Sequence, residues 1–115
     1  MQTITLILND APYGSERSYN GLRTAIALQK ENTQVNVFLI ADSVYCALKD
    51  QTTPEGYYNI GRMIKGVTRR GKIGACGACM DARGLTNVQL LDGVHRSTMA
   101  GLAEWILKSD KVITF

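Results

Sequence analysis

Short apolar runs separated by turn residues predict four strands along the 115-residue chain. Residues 4–8 are apolar and rich in β-branched side chains, and a turn cluster at residues 10–15 follows them. Residues 35–41 form a near-continuous apolar run, which is typical of a parallel strand covered on both faces. Residues 71–75 and 111–115 predict a third strand and a final strand.

Helical spacing predicts four helices between these strands. The first is expected to begin at Ser15 as N-cap, with Glu16 favoured by the helix dipole, and to end near Lys30. Asp42 or Ser43 is expected to cap a short second helix. Apolar residues at helical intervals mark the other two helices, namely Ile60, Met63, Ile64 and Val67, then Met99, Leu102, Ala103, Ile106 and Leu107 after an N-cap at Ser97 or Thr98.

The order β-α-β-α-α-β-loop-α-β predicts one α/β domain over residues 1–115, with residues 87–94 as either a short strand or an irregular loop. We expect a three-layer α/β/α arrangement with a mainly parallel sheet of four to five strands. Active groups in such folds lie beyond the carboxyl ends of the strands. The topology is therefore expected to gather Cys46 and the Cys76–Cys79 pair at one edge, with Tyr13 nearby.

The segment Cys76-Gly-Ala-Cys79-Met-Asp81-Ala-Arg83-Gly84 follows the third predicted strand and carries the candidate chemistry. A thiol is a nucleophile only as the thiolate, which a helix N-terminus or a nearby arginine stabilises. A helical turn starting near Cys79 would direct backbone N–H groups and Arg83 toward both sulfurs, while Asp81 caps the turn or pairs with Arg83. Two small buried residues in a tight turn are the plain alternative, but the polar Asp81 and Arg83 and the closing Gly84 argue against simple burial.

Charge and cysteine content narrow the class of protein. The 13 basic and 10 acidic residues give a net charge of only +3, which does not favour nucleic acid or membrane as a partner. Three cysteines are an odd number, so a full disulfide framework is not expected. The chain start lacks a basic signal-like region, and no apolar run approaches the roughly 20 residues of a membrane helix. We therefore expect a soluble protein of the reducing cytoplasm.

Several motifs together resemble those of the DsrE/DsrF-like family of small sulfur-relay proteins, most closely its YchN-like branch. They cover nearly the whole chain: Asn9-Asp-Ala-Pro-Tyr-Gly-Ser-Glu16, Glu55-Gly-Tyr57, Cys76-x-x-Cys79-x-Asp81-x-Arg83-Gly84, Asp92-Gly93 and Asp110-Lys-Val-Ile-Thr-Phe115. The resemblance implies a three-layer α/β fold, symmetric trimers or hexamers, and a cysteine that carries sulfur as a persulfide. In relay members that cysteine stands eight residues before a glycine that follows arginine, a register that Cys76 occupies relative to Arg83 and Gly84. Cys79 has no counterpart there and is a feature of the YchN-like branch.

The leading hypothesis is a sulfur carrier without a cofactor, exchanging sulfane sulfur with donor and acceptor proteins. Cys76 would accept the sulfur and be the most reactive thiol, Arg83 would stabilise the anion, and Cys79 would resolve the persulfide as a disulfide. A dithiol redox protein using the same pair is the second hypothesis, although thioredoxin-like pairs follow the first strand of their pattern. Tyr13 and Ser15 are expected either to shape the pocket or to serve the turn alone.

The third hypothesis is a non-catalytic metal or oligomer module. Zinc requires four ligands, and the soft side chains available are Cys46, Cys76, Cys79 and His95. No second C-x-x-C motif is present, so zinc is disfavoured and His95 is expected in a loop or interface. A closed homo-oligomer, a trimer or hexamer, is expected in any case, with Trp105 in the core or at a subunit interface.

Overall fold

The computed structural model describes residues 1–115 as an all-parallel five-stranded sheet with helices packed against it, in the strand order β4-β3-β2-β1-β5. The strands are β1 Gln2–Leu8, β2 Thr33–Leu39, β3 Lys72–Cys76, β4 Val94–Ser97 and β5 Lys111–Thr114. The helices are α1 Arg17–Gln29, α2 Ile60–Thr68, α3 Gly77–Ala82 and α4 Met99–Lys108, with 3-10 helices at Ala41–Ala47 and Asn87–Gln89. The expected α/β class and parallel sheet are confirmed, and no helix is both long and apolar enough to span a bilayer.

Alternation of side chains along β1 assigns the helices to two faces of the sheet. Leu8 packs against Gly21 of α1, where a side chain would collide with it. Thr5 points to the opposite face, where its hydroxyl lies 2.7 Å from the hydroxyl of Ser109 at the end of α4. Helices α1 and α2 therefore cover one face and α4 covers the other, which gives the expected three layers.

The main core lies between the sheet and the α1–α2 layer. Strand β2 contributes Val35, Val37 and Leu39, all fully buried, as expected for a parallel strand in the middle of a sheet. Met80 of α3 is also fully buried. Burial of such a side chain contributes about 1.5–3 kcal/mol, so Met80 anchors the short helix that follows Cys76.

Two predicted helix caps are wrong. The N-cap of α1 is Glu16, because Ser15 lies one residue earlier in the turn and there donates to Asp10 Oδ2 at 2.8 Å. The 3-10 helix after β2 has Ile40 as N-cap and no side-chain cap, so neither Asp42 nor Ser43 has that role. Ser43 is buried instead, and its hydroxyl lies 2.6 Å from the carbonyl oxygen of Leu8.

The segment left open at residues 87–94 contains the second 3-10 helix and a turn, and strand β4, which is additional to the four predicted strands, begins at Val94. Strand β4 is only four residues long, and Val94 is its one buried residue. Helix α4 begins at an N-cap that the sequence predicted, since Thr98 accepts the Gly101 N–H at 3.1 Å. Trp105 meets Phe38 edge-on, with ring centroids 6.1 Å apart.

Candidate functional site

Two free thiols lie where β3 passes directly into α3. Cys76 is the last residue of β3 and the N-cap of α3, so the helix starts at Gly77, two residues before the predicted turn at Cys79. Cys76 is buried, with 4% of its surface exposed, whereas Cys79 in the first turn is half-buried. The structure therefore brings a shielded thiol and a more accessible thiol together at the carboxyl edge of the sheet.

A backbone amide from the neighbouring loop is directed at the more accessible sulfur. The Ala41 N–H donates to Cys79 Sγ at 3.2 Å. Ala41 has a φ of 53°, and this left-handed conformation costs a residue with a side chain roughly 1–2 kcal/mol. Strain of this kind is often kept at functional sites, and no sequence pattern signalled it here.

The surroundings of the Cys79 thiol shift its pKa upward. Burial raises the pKa of Cys79 above its ordinary value, and the adjacent Cys76 thiol adds to the rise. The Ala41 N–H and the Arg83 guanidinium lower the pKa of Cys79 but offset only part of this effect. The environment of Cys79 therefore favours its protonated form, which is a weaker nucleophile than a thiolate.

Arg83 connects α3 to the 3-10 helix after β2 and forms no hydrogen bond with either sulfur. Its Nη2 and Nε lie 2.9 and 3.0 Å from Asp42 Oδ1, and its Nη1 donates to the Cys79 carbonyl oxygen at 3.1 Å. Its charge favours the thiolate of Cys79. Gly84 follows with a φ of 68°, a left-handed position that glycine occupies without strain, and so closes the segment as predicted.

The predicted pairing of Asp81 with Arg83 is wrong. Asp81 forms two hydrogen bonds with Arg96 of β4, at 2.7 and 3.0 Å, because β4 lies beside β3 and brings Arg96 over the start of α3. These bonds lower the pKa of Asp81. Sequence reasoning missed Arg96 because residues 94–97 were not recognised as a strand. The turn Asp92-Gly93 followed by an apolar residue was the available signal.

Other predicted site residues belong to a separate network around the first loop. The Cys46 thiol is buried and donates to the Asp10 carbonyl oxygen at 3.8 Å, and burial raises its pKa to about 12. The Tyr13 hydroxyl donates to Gln51 Oε1 at 2.6 Å and accepts the Ile60 N–H at 3.1 Å. Tyr13 and Ser15 thus fix the loops, which is the turn role considered for them from the sequence, whereas Cys46 bonds the first loop and forms no hydrogen bond with Cys76 or Cys79.

The four candidate zinc ligands are not assembled. The structure contains no group of three or more His, Cys, Asp or Glu side chains positioned to hold a metal ion. His95 is exposed on β4. The chemistry that the site can support is that of two neighbouring thiols flanked by two arginine–aspartate pairs.

Comparison with known proteins defines the class to which this fold and thiol pair belong. The family model for DsrE/DsrF-like proteins matches residues 2–115, so the chain belongs to the DsrE/DsrF-like family. It is 43% identical to the protein YchN of Escherichia coli over all of both chains. It is also 38% identical to an uncharacterized protein of Methanocaldococcus jannaschii, over 96% of this chain and 97% of that one.

Solved structures agree with this assignment. The crystal structure of the E. coli ychN protein matches with a TM-score of 0.94 and 42% identity over the full length of both chains. A protein of unknown function from Methanobacterium thermoautotrophicum matches with a TM-score of 0.77 at 15% identity, covering 98% of this chain and 97% of that one, which shows a shared fold. The resemblance to the YchN-like branch is thus confirmed.

Proposed function

We propose that this protein carries sulfane sulfur as a persulfide on Cys76 in the cytoplasm, exchanging it with donor and acceptor proteins. One observation carries the proposal: two free thiols of unequal exposure lie together at the carboxyl edge of a parallel sheet. This edge is where α/β folds place reactive groups. Membership of a family that includes sulfur-relay proteins supports the same function.

The proposed transfer moves one sulfur atom without net oxidation. The Cys76 thiolate attacks the outer sulfur of a donor persulfide, a new S–S bond forms at Cys76, and the donor cysteine leaves as a thiolate. An acceptor thiolate then attacks the same outer sulfur and regenerates the Cys76 thiolate. Cys76 is the nucleophile of the pair in this scheme, because it stands eight residues before Gly84 and at the end of the strand, as the carrier cysteine of relay members does.

Burial of Cys76 would protect the sulfur that the protein carries. A persulfide on Cys76 is shielded from solvent thiols, since only 4% of that residue is exposed. Cys79 is the neighbour that can end the persulfide's life. Its attack on Cys76 Sγ forms a Cys76–Cys79 disulfide and expels hydrosulfide, and an external thiol must then reduce the disulfide.

Dithiol redox chemistry is the second candidate, because the same two neighbouring cysteines are free and can form a disulfide. The two functions differ in what the protein carries. A sulfur carrier gains the mass of one sulfur atom and needs only Cys76. A redox protein loses two hydrogens and needs both cysteines.

Intact-mass analysis tests the proposal directly. Protein purified without reductant is measured before and after incubation with a persulfide donor, for wild type, Cys76→Ser and Cys79→Ser, with Cys46→Ser as matched control. We expect one added sulfur on every protein except Cys76→Ser. If Cys76→Ser loads sulfur as well as wild type, Cys76 is not the carrier. If the wild type only cycles as a disulfide, the redox function is correct.

A further inference from the structure

Arg96 lies directly beside the start of α3. In the parallel register of β3 and β4, Ala75 is opposite Arg96 and Cys76 is opposite Ser97. The Arg96 guanidinium rests on Gly77, the residue after Cys76. A Cβ on Gly77 would lie 2.8 Å from Arg96 Nε and 2.9 Å from Cζ, which is closer than real Cβ contacts allow. The absent side chain at Gly77 therefore leaves room for the guanidinium.

Asp81 fixes the same guanidinium from the other end of the short helix. Its two carboxylate oxygens accept from Arg96 Nη1 and Nη2 at 3.0 and 2.7 Å. A two-point pair of this kind sets the plane of the guanidinium as well as its position. The Arg96 side chain remains 37% exposed, so the cation also faces solvent.

The two arginines of the site serve different thiols. Arg83 acts on Cys79, whose pKa it lowers. The hydrogen bonds that Arg96 donates to Asp81 raise the pKa of Arg96, and the negative charge of a Cys76 thiolate adds to this rise. The guanidinium of Arg96 is also the cation held against Gly77, the residue directly after Cys76, so the geometry assigns it to that thiol.

We propose that Arg96 is a positioning residue that stabilises negative charge on Cys76, and that Gly77 and Asp81 hold its guanidinium in place. That negative charge belongs to the Cys76 thiolate. The extension to the persulfide anion that replaces the thiolate rests on the proposed function. A persulfide anion has the same charge one bond further from the backbone, so the same exposed cation serves both states.

The pH dependence of Cys76 alkylation tests the proposal without any sulfur donor. Native protein is treated briefly with iodoacetamide between pH 6 and 10, and the adduct on Cys76 is assigned by peptide fragmentation. We expect Arg96→Gln to raise the pH of half-maximal alkylation by about half a unit or more, which slows labelling at neutral pH roughly threefold. Arg96→Lys keeps the charge and should restore most of the rate.

Other titratable or charged groups lie on the elements around Cys76. They are Cys79 and Asp81 on α3, Arg83 directly after it, Asp42 on the adjacent 3-10 helix, and His95 on the same strand as Arg96. His95→Gln is expected to leave the Arg96 effect in place. Lys108→Gln removes a salt-bridged cation on α4 and is expected to leave the profile unchanged.

Gly77→Ala tests whether the position of the Arg96 guanidinium matters as well as its charge. It keeps the Arg96 charge but fills the space on which the guanidinium rests, so it should shift the profile in the same direction as Arg96→Gln. Circular dichroism and thermal melts confirm that each variant is folded, and if Arg96→Gln unfolds, Arg96→Lys and Gly77→Ala decide the result. The proposal is wrong if Arg96→Gln behaves like Lys108→Gln, or if Arg96→Lys is as impaired as Arg96→Gln.

Persulfide loading of the same proteins separates the two proposals. If wild type never loads sulfur but Arg96→Gln shifts the alkylation profile, the sulfur-carrier function fails and the role of Arg96 stands. If wild type loads sulfur while Arg96→Gln keeps the wild-type profile, the role of Arg96 fails and the carrier function stands.

Discussion

The three cysteines of this chain occupy three different environments. Cys46 is enclosed in the core, Cys76 is buried at the strand end, and Cys79 is half-buried with a backbone N–H directed at its sulfur. Thiol chemistry follows protonation and access more than residue type. The environments therefore assign Cys46 to packing and leave the chemistry to Cys76 and Cys79.

Cys79→Ser should leave sulfur loading on Cys76 intact and lengthen the lifetime of the persulfide. The serine hydroxyl cannot attack Cys76 Sγ, so hydrosulfide release through a disulfide is blocked. Persulfide yield and decay are followed by mass for wild type and Cys79→Ser after removal of the donor. Loss of loading in Cys79→Ser would instead make Cys79 part of the transfer step.

Cys46 should make the protein less stable at alkaline pH. Burial keeps the thiol protonated to about pH 12 in the folded state, whereas its ordinary pKa is 9.0. The folded state thus binds more protons than the unfolded state in that window, and stability falls as pH rises through it, by at most about 4 kcal/mol.

Cys46→Ala should therefore show a shallower loss of unfolding free energy above pH 9 than wild type. The comparison uses the slope with pH, measured by chemical denaturation, because the lost packing lowers stability at every pH. Tyr58 also has a raised pKa, but it is present in both proteins and cancels. Equal slopes would show that Cys46 ionises freely in the folded state.

At the scale of single elements, caps decide where α2 begins. Asn59 is buried, and its side chain accepts the Arg62 N–H at 3.1 Å while donating to the Gln51 carbonyl oxygen at 3.1 Å. Asn59→Ala removes the cap and leaves a buried carbonyl without this donor, which should cost about 2 kcal/mol of unfolding free energy. Urea denaturation measures the loss.

Asn20→Ala is the matched control for this prediction. Asn20 is exposed within α1. Its side chain accepts one hydrogen bond, from Arg23 Nη1, and its backbone carbonyl oxygen accepts from the Thr24 hydroxyl. Alanine favours the interior of a helix, so the control should not lose stability. Equal effects of the two substitutions would show that the Asn59 cap contributes nothing specific.

Elements with a strong repeating pattern could be predicted from sequence, and short ones could not. Helices α2 and α4 have apolar residues at helical intervals, and both were located correctly. Strand β4 has one buried residue in four positions, so neither alternation nor an apolar run marks it. Missing β4 also hid Arg96, because that residue reaches the site only through pairing of β4 with β3.

The site itself was predictable only in part for a related reason. The sequence predicted Cys76 and Cys79 at a strand end, because the apolar run that marks the strand lies immediately before them in the chain. The partners of Asp81 and Arg83 depend on residues 15 and 41 positions away in the chain. Such pairings follow from the packing of elements, and spacing along the chain does not indicate them.

At the scale of the whole molecule, the outer surface of α4 stands out because it exposes apolar side chains. Its helical spacing is amphipathic, yet Leu102 is its only buried residue. Met99 is 58% exposed and Leu107 is 86% exposed, and Val112 on the edge strand β5 adds a further 41% exposed apolar residue. Apolar surface of this kind on one side of a small domain is typical of an interface.

We propose that a second copy of this chain covers the α4 surface, in a closed trimer or hexamer as the family resemblance implies. Leu107→Glu should reduce the molar mass measured by light scattering to that of a smaller species, because a carboxylate cannot be buried there without a partner. Val88→Glu is the matched control, since Val88 is a similarly exposed apolar residue in the 3-10 helix Asn87–Gln89, and it should leave the mass unchanged. A monomeric wild type at micromolar concentration would contradict the oligomer. A wild-type oligomer that tolerates Leu107→Glu would show that its interface lies elsewhere.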